Sequence, residues 1–126
     1  MDTASRAFVR ERAGGACEYC LLSQEGALAA FHVEHIVAKQ HLGENNLSNL
    51  ALACHHRNLH KGPNLSGIDP LTRRLVPLFH PRRQRWAKHF QRVGARIEGL
   101  TPTGRATVQV LAMNEPERVE LRGFES

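Results

Sequence analysis

The residues best suited to catalysis lie in one stretch of the chain, since seven of the eleven cysteine and histidine residues fall between His32 and His60. An imidazole titrates near pH 6.5, about half a unit from neutrality, so His35 can accept a proton from water. Glu34 precedes it directly, and Asn58 follows on a later segment. Carboxylate and amide oxygens are hard ligands that suit Mg²⁺ or Mn²⁺. These residue types predict metal-assisted hydrolysis with His35 as the general base.

The three cysteines indicate a second kind of metal site. Cys17 and Cys20 have the two-residue spacing of a zinc knuckle, and Cys54 follows the second predicted strand. An odd number of cysteines without a secretion signal argues against a framework of disulfides. The chain shows neither a signal-peptide pattern nor an apolar run of roughly 18 residues, so we expect a cytoplasmic protein with no membrane partner.

Size and charge set the broad class of protein. With 126 residues and 41% hydrophobic content, the chain is expected to form a single domain, 1–126. The formal charge of +5 favours a polyanionic partner, with nucleic acid as the first candidate.

The pattern around the histidines predicts two strands and a helix. Residues 30–34 form an apolar strand, a polar loop runs from Val37 to Asn49, and a strand of period two resumes at Leu50. A short helix over His55–Lys61 then ends at Gly62-Pro63. The two strands are expected to pair as a hairpin.

Short helices and strands are expected before and after this strand–strand–helix pattern. They are an amino-terminal helix over Ala4–Arg12 ended by Gly14-Gly15, a strand over Leu75–Phe79, a helix from Pro81 to Arg92 with Trp86 and Phe90 on one edge, a strand over Arg96–Leu100, and a helix from the N-cap Thr101 to about Met113.

The triplet Glu34-His35-Ile36 is followed by Asn49, Asn58 and Lys61, with the apolar strand between them. This set resembles the HNH endonuclease family in its His-Asn-Asn form, over about residues 17–62. The resemblance implies an α+β fold, a small ββα-metal finger flanked by short helices. The finger core would span about 17–62, with a basic C-terminal extension over 67–126.

The resemblance also implies an activity. Members of the family hydrolyse phosphodiester bonds, usually in double-stranded DNA, with one divalent metal ion and release of a 5′ phosphate. Asn49 is then the middle Asn, which braces the loop and orients the imidazole, so that His35, Asn49 and Asn58 form the catalytic set and Glu34 and Asn58 bind the metal ion. DNA contacts are expected from Lys61, His32, Arg82 and Arg85.

Two alternatives to an endonuclease stay open on the sequence. One is a non-catalytic DNA-binding module with a degenerate HNH finger, and another is a zinc-dependent RNA-binding or interaction domain without activity. The protein is expected to act as a monomer or a homodimer.

The zinc prediction meets a departure from the family pattern. Family members often pair Cys-x-x-Cys with a second such pair, but Arg57 stands where the fourth thiolate is expected. A guanidinium has no lone pair for a cation. Either His56 completes a Cys₃His site with Cys17, Cys20 and Cys54, or zinc binding is weak or lost, with His55 a poorer substitute.

One geometric requirement follows from the motif. Adjacent side chains of a strand point to opposite faces, so Glu34 and His35 can serve one site only where the strand ends or bulges.

Overall fold

The computed structural model describes residues 1–26 and 29–124, and over these residues the fold is α+β. Its helices and strands, in chain order, are α1 (Thr3–Arg12), β1 (His32–His35), β2 (Leu50–Ala53), α2 (His55–Lys61), β3 (Ser66–Ile68), β4 (Leu75–Pro77), α3 (Trp86–His89), β5 (Phe90–Val93), β6 (Arg96–Gly99), α4 (Pro102–Val110) and α5 (Pro116–Gly123). The strands pair as three antiparallel hairpins, β1–β2, β3–β4 and β5–β6.

The hairpin predicted around the histidines is confirmed. His32 pairs with Ala53 and His35 with Leu50, and the register is unbroken between them. β2 is buried along its whole length, which agrees with its apolar sequence. α2 has the predicted bounds, and the Cys54 thiol accepts a bond from the helix backbone at its N-terminus. The ββα order therefore lies where the residue pattern indicated it.

The amino-terminal helix is also confirmed and packs on this hairpin. The Asp2 carboxylate caps it by accepting a 2.7 Å hydrogen bond from the backbone N–H of Ser5. It ends before Gly14 and Gly15, which both have positive φ, a conformation that glycine adopts at little cost. Arg12, in its last turn, donates to the Leu50 carbonyl at 2.7 Å, so α1 is fastened to the start of β2.

The extension differs from the prediction between Pro81 and Arg92. No continuous helix forms there: residues 81–84 make a turn, α3 has four residues, and Phe90 begins a strand. The His80 imidazole accepts from the backbone N–H groups of Arg82 and Arg83 at 3.2 and 3.3 Å. Such local side-chain bonds compete with helical bonding and favour a turn.

The rest of the extension follows the predicted pattern in part. β4 and β6 lie within the predicted strands, and the Thr101 hydroxyl caps α4 by accepting from Gly104 N–H at 3.0 Å. α4 ends at Val110, short of Met113, and α5 was not predicted.

The core unites the finger with the extension. Phe79 and Phe90 from the extension belong to the same buried cluster as Tyr19 and Leu50 from the finger. The Phe79 ring meets the Tyr19 ring edge-on at 6.3 Å, and the indole N–H of Trp86 donates to the Tyr19 carbonyl at 2.8 Å. The predicted Trp86–Phe90 contact is present, with ring centroids 5.1 Å apart. Among the described residues, no helix combines the length and apolar character that a membrane crossing requires.

Candidate functional site

His35 occupies the last position of β1, where the strand gives way to the loop. Its Nε2 lies 2.6 Å from the Oδ1 of Asn45. Because an amide oxygen can only accept, Nε2 is the donor and carries the proton. The lone pair of the neutral ring is therefore on Nδ1, and His35 is held in a form that can accept a proton there.

Asn49 braces the loop that follows His35. Its Oδ1 accepts from Val37 N–H at 2.9 Å, while its Nδ2 donates to the carbonyls of Val37 at 3.0 Å and Glu44 at 2.8 Å. Its described side-chain bonds all go to loop backbone, so the imidazole of His35 is contacted by Asn45 instead. The sequence analysis did not single out Asn45 within the polar loop from Val37 to Asn49; its place in the loop that follows the motif histidine was the available signal.

Glu34 and His35 lie in a regular ladder, opposite Ala51 and Leu50. Of the two arrangements that the motif required, the structure therefore has a strand end and no bulge. The Glu34 carboxylate is near enough to Tyr19 to contribute to a raised phenol pKa, of which burial is the main cause and which Arg57 opposes. Asn58 lies on α2, half-buried, one turn after the helix begins.

Two of the residues predicted to contact DNA form bonds within the protein. Lys61 is only 2% exposed, and its ammonium donates to the Ile36 carbonyl at 3.3 Å. Burial, with a smaller effect of the Arg57 charge, lowers the pKa of Lys61 to about 8. Arg82 forms an ion pair with Glu18, and burial lowers its pKa as well. Both side chains are therefore used inside the protein.

The other two predicted contacts lie nearer the surface. Arg85 is exposed at the start of α3. His32 is half-buried, with its Nε2 3.4 Å from the Nδ1 of His55.

The three cysteines come together beneath α2. Their sulfur atoms lie within 4.8 Å of one another, all three residues are buried, and the sulfurs of Cys20 and Cys54 are 3.7 Å apart. Hydrogen bonds from the thiols of Cys17 and Cys54 lower the pKa of Cys20, whereas burial raises the pKa of Cys17. Three clustered sulfurs suit a soft or borderline ion such as Zn²⁺, which takes four ligands in structural sites.

The side chain of Arg57 contacts Tyr19. It is 3% exposed, its Nη2 donates to the Tyr19 hydroxyl at 3.0 Å, and its guanidinium lies over the Tyr19 ring at 4.6 Å. Arg118 of α5 also contacts the thiol cluster, with Nη2 3.4 Å from the Cys54 sulfur.

The structure corrects the role predicted for His56. Among the described residues, the metal-ligating atoms grouped with the thiols are the three sulfurs alone, and His56 belongs to a different group with His60 and Glu115. Its Nε2 lies 3.1 Å from the Ala112 carbonyl. His55 is exposed beside His32. In this structure neither histidine is grouped with the three sulfurs.

The hairpin and the helix form a small ββα unit, with a histidine at the end of its first strand and three thiols at the base of its helix. Residues 17–64 match the family model described as HNH endonuclease, which confirms the resemblance inferred from the motif. The match covers less than half of the chain and includes every motif residue. Neither the curated proteins nor the solved structures contain a match to the chain. The HNH domain indicates a nuclease or DNA-binding function.

Proposed function

We propose that this protein is a metal-dependent endonuclease that hydrolyses phosphodiester bonds of DNA, with His35 as the general base. The observation that carries the proposal is the HNH match over residues 17–64, which contains Glu34, His35, Asn49 and Asn58. The arrangement of His35 supports it, because a hydrogen bond to Asn45 leaves Nδ1 with a free lone pair.

The proton is taken by Nδ1 of His35. As the ring becomes positively charged, the Oδ1 of Asn45 continues to accept from Nε2, so the same contact that sets the tautomer also stabilises the imidazolium. Asn49 acts on His35 indirectly, through Asn45. Its Nδ2 donates to the carbonyl of Glu44, the residue before Asn45, at 2.8 Å. Asn49 is in this proposal a positioning residue.

Glu34 and Asn58 are the residues that would hold the divalent cation, and their oxygens fit Mg²⁺ or Mn²⁺. The bound ion would supply positive charge to the phosphate oxygens and to the departing 3′ oxygen. Hydrolysis by this route yields a 5′ phosphate and a 3′ hydroxyl. Double-stranded DNA is the proposed substrate.

The test is incubation with supercoiled plasmid in Mg²⁺, Mn²⁺, Zn²⁺ or chelator. We expect metal-dependent conversion to nicked circles by a monomer, or to linear DNA by a homodimer. His35→Ala should reduce the rate by at least 100-fold, as expected for loss of a general base, while DNA binding is kept. His41→Ala is the matched control, because His41 is an exposed histidine in the same loop.

Cleavage by His35→Ala at the wild-type rate would refute the role of His35. DNA binding without metal-dependent cleavage by the wild type would instead support the non-catalytic DNA-binding module. Asn45→Ala should lower kcat more than KM, since it removes the orienting contact. Asn46→Ala is its control, because the Asn46 side chain bonds Glu44 and Ser48 within the loop.

A further inference from the structure

A second set of metal-ligating side chains lies away from both the thiols and His35. His56 and His60 are one turn apart on α2, with ring centroids 4.2 Å apart. Glu115, which immediately precedes α5, faces them: its Oε2 lies 3.9 Å from His56 Nε2, and its Oε1 lies 4.0 Å from His60 Nε2. One ligand atom from each residue lies within 4.8 Å of the others.

This geometry has the chemistry of a zinc-type site. Two imidazoles four residues apart on a helix form a chelating pair, and a carboxylate completes three protein ligands with room for water as the fourth. Bonds of about 2.1 Å in a tetrahedral site place ligand atoms roughly 3.4 Å apart. The observed separations need only small side-chain adjustments. Both His60 and Glu115 are exposed enough to make them, with side chains 36% and 47% accessible.

His56 is the more fixed member of the set. Its side chain is only 14% accessible, and its Nε2 contacts the Ala112 carbonyl. Because a carbonyl oxygen only accepts, Nε2 is the donor in this contact, and a metal ion that binds Nε2 takes the place of its proton. The site thus has one buried histidine, whose hydrogen bond to Ala112 gives way to the ion, and two exposed side chains that can close on it.

We propose that His56, His60 and Glu115 bind a divalent transition-metal ion of the zinc class and thereby tie α2 of the finger to the start of α5 in the extension. The site is separate from the thiol cluster. Of the neighbouring charges, the Arg118 guanidinium opposes a cation, but it is directed to the Cys54 sulfur at 3.4 Å, whereas Glu115 contributes a negative charge directly. Binding should raise stability, since an ion that binds only the folded state shifts the folding equilibrium.

The experiment uses Co²⁺ and Zn²⁺ as probes on the full chain. Co²⁺ bound by imidazole and carboxylate gives visible bands without the near-ultraviolet charge-transfer band of thiolate coordination. We expect a visible signal from the wild type and a rise of Tm with Zn²⁺. His60→Ala and the isosteric Glu115→Gln should each weaken the affinity for Co²⁺, measured from the visible bands, at least tenfold. Each variant should also show a smaller rise of Tm with Zn²⁺.

His41→Ala should bind like the wild type, because it removes an exposed histidine far from this set in the chain. Any thiolate band should be unchanged by His60→Ala and Glu115→Gln. Wild-type affinity and an undiminished Tm rise in both variants would overturn the proposal, as would a wild type that gives only the thiolate band or no signal. Plasmid cleavage is not used as a readout, so failure of the nuclease proposal would leave this result standing.

Discussion

Arg57 fills the place of a family thiolate but has a structural role of its own. Its guanidinium stacks on Tyr19 and donates to the Tyr19 hydroxyl, and the whole side chain is buried. A buried guanidinium over an aromatic ring stabilises by about 1 to 2 kcal/mol when desolvated. The contact joins α2 to the turn that carries Cys17 and Cys20, which is the connection a four-thiolate zinc site would make.

Arg57→Cys is therefore expected to have opposite effects without and with zinc. Without zinc it should lower the free energy of unfolding by about 1 to 3 kcal/mol, because the buried Tyr19 hydroxyl loses its donor. With zinc its Tm should exceed that of the wild type, since four thiolates close the site. Thermal unfolding with zinc or chelator measures both effects.

Arg57→Ala is the control, because it loses the same contact without gaining a thiol. If zinc raises the Tm of neither Arg57→Cys nor Arg57→Ala and neither variant retains zinc, the three cysteines do not form part of a zinc site.

The role of a residue could be predicted from the sequence where the chemistry of its side chain determines that role. It could not be predicted where the role depends on whether the side chain is buried. The loop-bracing position of Asn49 agrees with the motif, since its side-chain bonds all hold loop backbone. Lys61 looked like a phosphate ligand at the end of a helix, yet it is buried on the Ile36 carbonyl. The local sequence does not distinguish those outcomes, because the surroundings of Lys61 also come from distant segments: residues 77–80, 83 and 84 line the same pocket.

At the scale of elements, the turn between β4 and α3 places Arg82 and Arg85 in different surroundings, although the sequence predicted DNA contact for both. Arg82 is held by Glu18, which also accepts from Leu52 N–H at 2.8 Å. Arg85 is exposed at the other end of the turn. A continuous helix would have placed both arginines on one face. In the observed turn, Arg82 pairs with Glu18 and Arg85 is exposed to solvent.

Arg85→Ala should weaken DNA binding without changing stability, and it should reduce the slope of log K against log salt by about 1, as for one lost phosphate contact. Arg82→Ala should leave that slope unchanged and lower the free energy of unfolding by about 1 to 3 kcal/mol, because Glu18 loses its partner. Binding measured across a salt series, together with urea unfolding, separates the two. A reduced slope in Arg82→Ala would show that the Glu18 pair opens to meet DNA.

The elements themselves were predictable wherever the pattern was local. The period of two in β2 and the glycines after α1 were sufficient for those elements, and Thr101-Pro102 was sufficient for the start of α4. The region 81–92 was mispredicted because its apolar spacing fits a helix, while His80 bonds the backbone and β6 pairs with Phe90–Val93. Those competing contacts come from outside the pattern.

At the scale of the whole molecule, the finger and the extension share one hydrophobic core. The composition indicated enough apolar residues for a core, but it did not show that Phe79 would pack against Tyr19 or that the Trp86 indole would bond the Tyr19 backbone. Such pairings depend on long-range packing and leave no periodic signal in the sequence. We propose that residues 1–126 unfold as one cooperative unit, with the extension completing the finger's core.

Two probes can test this cooperativity, because they report on different parts. Trp86, the only tryptophan, lies in the extension, and the three cysteines, all buried, lie in the finger. In urea, tryptophan fluorescence and thiol reactivity should give the same midpoint. Phe79→Ala should lower the free energy of unfolding by about 3 to 5 kcal/mol, since it leaves a cavity where a buried aromatic ring was. Both urea midpoints should therefore fall together. Phe124→Ala, at an exposed phenylalanine, should change neither. A Phe79→Ala protein whose tryptophan signal shifts while its thiols stay protected would instead mean that the finger folds independently of the extension.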